Sequence, residues 1–124
     1  SQASSRTFKE NINQLDDTVI MNKVKNLPVY EWSYIGASRR NFGLMAEDVY
    51  AQIDSSVDIS GTSTYTSSLS SEQRTSLSHT VLPTLAYSAV RGAIAKIESQ
   101  EVVIASQQTL INDLLARVTA LENP

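Results

Sequence analysis

The chain has 124 residues, a formal net charge of -3, no cysteine and one histidine, which is the size of a single domain. Its ten Lys and Arg residues are scattered, which argues against a nucleic-acid or anionic-membrane surface, since either needs clustered cations. The lack of cysteine removes disulfides, thiolate catalysis and most zinc sites, so no metal or cofactor is expected, and no apolar run approaches the roughly 18 residues that span a bilayer.

Near the start, Ser4 and Lys9 stand five residues apart in SSRTFKENI. A serine hydroxyl becomes a nucleophile when a base takes its proton, and a neutral lysine amine is one such base. Because 18 residues are serine, that spacing alone is not a motif. The polar opening has no signal-peptide core, and its abruptness leads us to expect an upstream segment. From Asp16 to Asn26 the apolar positions Val19, Ile20 and Val24 fit a short helix, capped by Asp16 or Asp17 and stopped before Pro28.

The run Val29 to Ile35 alternates large and polar side chains and reads as a half-buried strand ending at Gly36. A polar turn with Arg39 and Arg40 leads to a second strand, Asn41 to Met45, making a hairpin. Residues 46–53 then have the spacing of a short amphipathic helix, with Glu47 and Asp48 as a solvated first turn. Between Ser55 and Ser78 serine, threonine and glycine dominate, and Val57, Ile59, Tyr65 and Leu69 are isolated apolar points. That stretch reads as a long surface excursion with a strand around Thr62 to Thr66.

From Val81 the pattern is helical and becomes a heptad. Val90, Ile97, Ile104, Ile111 and Val118 fall at successive a positions, and Ala93, Gln100, Gln107, Leu114 and Leu121 at d. Every a residue is β-branched, and the sustained seven-residue period predicts a parallel coiled coil. The competing reading is an amphipathic helix folded back on the N-terminal half. Gln100 and Gln107 weaken the seam and fix its register, because a shifted alignment would bury them against isoleucine. Oligomer number does not follow from the repeat. His79 reads as a helix-start or packing residue, and the scattered aromatics and glycines make neither a base-stacking surface nor a phosphate loop.

Taken in order, Ser4 to Lys9 with Glu10, Asn11 and Ile12, then Leu27 to Trp32, then Phe42 to Val49, then a helix entering a coiled coil, the chain resembles a known family. This is the self-cleaving C-terminal intramolecular chaperone domain of phage tail spikes, tail fibres and neck appendages, of the endosialidase type. The resemblance implies an α+β head over residues 1–80, with the insert 55–78, and a trimerising helix over 81–124 that winds into a parallel trimeric coiled coil. It implies a homotrimer that assists folding of an upstream β-rich fibre in the host cytoplasm during virion assembly and is released after cutting. Carried over, Ser4 is the nucleophile, Lys9 the base, and the scissile bond joins Ala3 to Ser4, with Ser1 as an alternative new N-terminus. The family usually has Asp where this chain has Ser5, and many members have His where it has Asn41. Asparagine cannot relay a proton, so Asn41 is assigned to stabilising the oxyanion. The rival is a permanent trimerisation or fibre-tip receptor-binding module that never cuts.

Overall fold

The computed structural model describes residues 4–53, 57–61 and 68–124. A 3-10 turn, Arg6–Phe8, comes first. Helix α1 spans Asp17–Lys25, strand β1 Tyr30–Trp32, strand β2 Asn41–Gly43, helix α2 Ala46–Gln52 and helix α3 Val81–Glu122. Another 3-10 turn, Ser71–Gln73, lies before α3.

Helix α1 begins where its sequence provides a cap: Asp16 Oδ1 accepts from the backbone N–H of Thr18 at 3.0 Å and of Val19 at 3.2 Å. Asp17 opens the helix and Lys23 and Lys25 close it, each with the sign that the helix dipole favours. The hairpin is antiparallel, with Tyr30 opposite Gly43, Glu31 opposite Phe42 and Trp32 opposite Asn41. Both strands are shorter than the alternation predicts. The chain leaves the ladder after Trp32 because Tyr34 stacks edge-on to the indole, at 4.7 Å between centroids, and the Ala37 N–H bonds the Tyr34 carbonyl at 3.0 Å. Gly36 supplies the positive φ of 83° that this turn requires.

The core is small. Ile20 of α1, Val49 of α2, Ile53, Ile59 and Leu85 of α3 are buried, with Val24, Leu27, Leu44, Tyr50, Leu77, Val81 and Leu82 packed around them. Ile59 is fully buried, which corrects the expectation of a surface excursion at that point. Its carbonyl accepts from the Ser78 N–H at 2.7 Å and the Tyr50 hydroxyl donates to the Ser76 carbonyl at 2.7 Å, so both ends of the Ser/Thr-rich stretch are tied to the core. The strand expected around Thr62 to Thr66 lies outside the described residues.

Helix α3 is the long helix the heptad predicts, and Pro83 sits in its first turn, where a missing N–H costs nothing. Its first part packs on α1. At the crossing, a Cβ on Gly92 would run into the carbonyl oxygen of Asp17, and would lie 2.9 Å from that carbonyl carbon and 3.1 Å from Met21 Cβ. Beside it, Asp17 Oδ1 accepts from the buried Ser88 hydroxyl at 2.7 Å, and Oδ2 pairs with Arg91 Nε at 2.9 Å. The Ser88 hydrogen bond, then that of Arg91, holds the Asp17 carboxyl below its ordinary range.

Two outcomes follow from this crossing. Gly92→Ala must push backbone from backbone, and thermal denaturation should show a loss of about 1 to 3 kcal/mol, as overpacking does. Because the folded-state Asp17 pKa is depressed, its stabilising contribution is complete above its unfolded value of ~3.9 and is lost as pH falls through the lower folded value. Asp17→Asn should therefore lower the melting temperature at neutral pH and narrow its gap to the parent chain below about pH 4.

Candidate functional site

The two residues expected to perform chemistry lie in an exposed arm. Every residue from Ser4 to Asp16 is exposed, and the hydrogen bonds of the arm are local. Ser5 Oγ accepts from the Thr7 N–H at 3.3 Å and caps the 3-10 turn, and the Lys9 N–H closes that turn on the Arg6 carbonyl at 3.1 Å. An aspartate at position 5 would cap the turn in the same way, so Ser5 keeps the local geometry and gives up only the charge. Asn11 has a φ of 54°, a left-handed kink that asparagine tolerates better than most residues.

Among the described residues, no hydrogen bond joins Ser4, Lys9 and Asn41 in the single chain. Ala3, the other side of the expected scissile bond, lies outside the described residues. Asn41 opens β2, and two residues on, Gly43 shows why this position takes glycine: a Cβ there would approach Trp32 Nε1 to 3.2 Å. The indole N–H is itself buried, with no hydrogen-bond partner among the described residues. On the hairpin's other face Phe42 is 82% exposed. Arg40 is engaged with Glu31 at 3.0 Å and with the Ser33 hydroxyl at 3.3 Å, so it braces the hairpin. Glu47 and Asp48 form the first turn of α2, and His79 is exposed in the turn before α3.

The residues expected to form a seam are better defined in their exposure. With Val90 at a, the buried residues of α3 fall at c (Leu85, Gly92) and f (Ser88), on the side away from a and d. The helix does fold onto the head, yet it uses the wrong face for the fold-back reading. Apart from the half-buried Ala93, its a and d face stays open: Val90, Ile97, Ile104, Ile111, Leu114, Val118 and Leu121 are all exposed, from 47% at Val118 to 80% at Leu121. Gln100 and Gln107 share that open face. The whole chain exposes 10018 Å², against roughly 6,600 Å² expected of a compact monomer of its mass.

Two apolar grooves flank the base of α3. One, of about 340 Å³, lies on the outer side between Val19, Ile53, Val57 and Val81. The other, of about 430 Å³, lies between the hairpin, α1 and the first turns of α3. The sequence reading missed Asp17, Ser88 and Gly92 as the residues that decide which face of α3 the head takes. The available signal was Gly92, a glycine inside an otherwise strong helical pattern.

Among the described residues no helix is long and apolar enough to cross a membrane. No curated protein and no solved structure matches this chain. A family model does: residues 4–58, the arm and the head as far as α2 and just beyond it, match Peptidase_S74, the chaperone of endosialidase, a likeness that begins at Ser4, takes in Lys9 and Asn41, and is consistent with the chaperones of phage tails and fibres.

Proposed function

We propose that this chain is a removable C-terminal intramolecular chaperone that trimerises through α3, assists folding and assembly of an upstream phage tail spike or appendage in the host cytoplasm, and then releases itself. The observation that carries the reading is the family match over residues 4–58, which starts at the candidate nucleophile. The open a and d face of α3 supports the assembly half of it. On this reading residues 1–80 form the self-cleaving head and residues 81–124 the trimerisation segment.

The chemistry is acyl transfer. Ser4 Oγ attacks the Ala3 carbonyl as Lys9 takes the hydroxyl proton; the amide bond breaks, its nitrogen leaves protonated as the new amine of Ser4, and water hydrolyses the ester left on the oxygen. Asn41 donates to the oxyanion. The exposed arm of the single chain leaves Lys9 solvated, so the reaction needs neighbouring subunits to close over it and remove water. Cutting is thereby gated by assembly.

The exposure of Ser4 and Lys9, with no bond between them, favours a second reading, a permanent trimerisation or fibre-tip module. A longer precursor with its natural upstream segment separates the two. Intact mass and N-terminal sequencing should give a fragment starting at Ser4, whereas Ser4→Ala stays whole with fold and oligomer unchanged, since an exposed Ser to Ala change alters stability by under about 0.5 kcal/mol. Lys9→Arg should also stay whole, because guanidinium does not give up its proton. Full cutting of the Ser4→Ala precursor at the same bond would eliminate Ser4.

The gate has its own test at a distance. Ile111→Asp sets carboxylates against one another in a single seam layer, at a cost of several kcal/mol to the assembly. Sedimentation should find mostly monomer, circular dichroism a largely intact head, and mass spectrometry an uncut precursor. Efficient cutting by a demonstrably monomeric variant would refute the gate.

A further inference from the structure

In parallel helices in register, a residue at g meets the residue at e five positions later on the neighbouring helix. Applied to α3, this sets Lys96 against Glu101 and Arg117 against Glu122 of the next copy, opposite charges both times. It sets Leu110 against Leu115 and Ala89 against Ile94, apolar both times. None of the four charged residues has an ion-pair partner among the described residues of the single chain. In the antiparallel arrangement e meets e and g meets g, so every charged encounter would be Glu with Glu or Lys with Arg. The flanks of the seam therefore select a second copy of this chain, parallel and unshifted.

The first pair of the series falls inside the head, where Leu82 at g meets Tyr87 at e. Leu82 and Pro83 of α3 form part of one wall of the groove beside the seam, and Val24, Leu27, Val29 and Leu44 face them. Tyr87 is 70% exposed on the opposite flank of its own helix, pointing away from its own groove. We propose that Tyr87 of each chain inserts into this groove of the neighbouring copy, so that the three heads interlock around the same axis as the helices. The inference rests on the parallel assembly proposed above and adds a contact between head and seam. Charge complementarity fixes the register, the register brings Tyr87 to Leu82, and the groove is continuous with the seam through Pro83 at a and Ala86 at d. At about 430 Å³ the groove accommodates an aromatic ring, with the phenol hydroxyl left at the wet rim.

A photoreactive p-benzoylphenylalanine placed at position 87 of the full chain tests this, with equal parts of ordinary and 15N-labelled chains so that mixed-mass products identify links between copies. Irradiation should join position 87 of one chain to the 24–29 segment, Leu44 or Leu82 of another. The same probe at position 115 should mark the surroundings of Leu110 on another chain. Links from 115 without links from 87 to the groove overturn the groove contact and leave the parallel assembly standing. No link between chains from either position, with a monomer by sedimentation, overturns both. Tyr87→Ala removes only an exposed side chain in the free chain, so its circular dichroism should not change while the concentration at which the assembly dissociates rises at least tenfold. An unchanged dissociation concentration also overturns the contact.

Discussion

The approach of α1 to α3 at Gly92 is the constraint on which the rest depends. Two helices come so close that there is no room for a β-carbon, and the polar group forced into the gap, the Ser88 hydroxyl, is satisfied by Asp17. Arg91 covers the same carboxylate from the solvent side. With five buried apolar residues among those described, only Val49 and Ile59 of them fully so, the core has little to spare, so the angle at which the head meets the long helix depends on this one crossing.

What the crossing achieves is a choice of face. By taking c and f it leaves the a residues from Val90 to Val118 and the d residues from Gln100 to Leu121 exposed, and the helix carries an apolar stripe, broken at Gln100 and Gln107, past the head and beyond it. A lone helix with such a stripe in water has no means of hiding it, and the seven large apolar residues of the stripe from Val90 to Leu121 stand 47% to 80% exposed. Gln100 and Gln107, both exposed, interrupt the stripe midway.

Much of this was legible in the sequence, for local reasons. Asp16 as a cap, Pro28 as a stop and Gly36 as a turn each act through neighbours within a turn or two and stand where the pattern sets them, as does the long helix that the heptad from Val90 runs along. The strands came out shorter because the Trp32 and Tyr34 rings stack and pull the chain into its turn, a side-chain effect that alternation does not encode. Ile59 looked like an isolated apolar point in a polar stretch, and became core because Ser78, nineteen residues on, fastens it there. The face chosen by the head depends on Gly92 and Ser88 meeting Asp17 more than seventy residues away, which no local pattern records. The family resemblance supplied Ser4 and Lys9, and the single chain leaves both in the exposed arm.

That arm has a reach. From Ser4 to Leu15 there are eleven residue steps, and a fully extended chain covers about 3.3 to 3.6 Å per step, so the far end sweeps a radius of up to roughly 40 Å about its anchor at α1. The anchor is the rigid crossing itself, whereas the arm is joined to nothing else by a described hydrogen bond. Force carried along the backbone from anything ahead of residue 4 would therefore arrive at the cap of α1, with the arm acting as slack between a stiff head and its load. Twisting or stretching ahead of the chain is absorbed in the slack before it disturbs the helix pair, and once the arm is taut the first element to feel it is the bond from Asp16 to Thr18 and Val19.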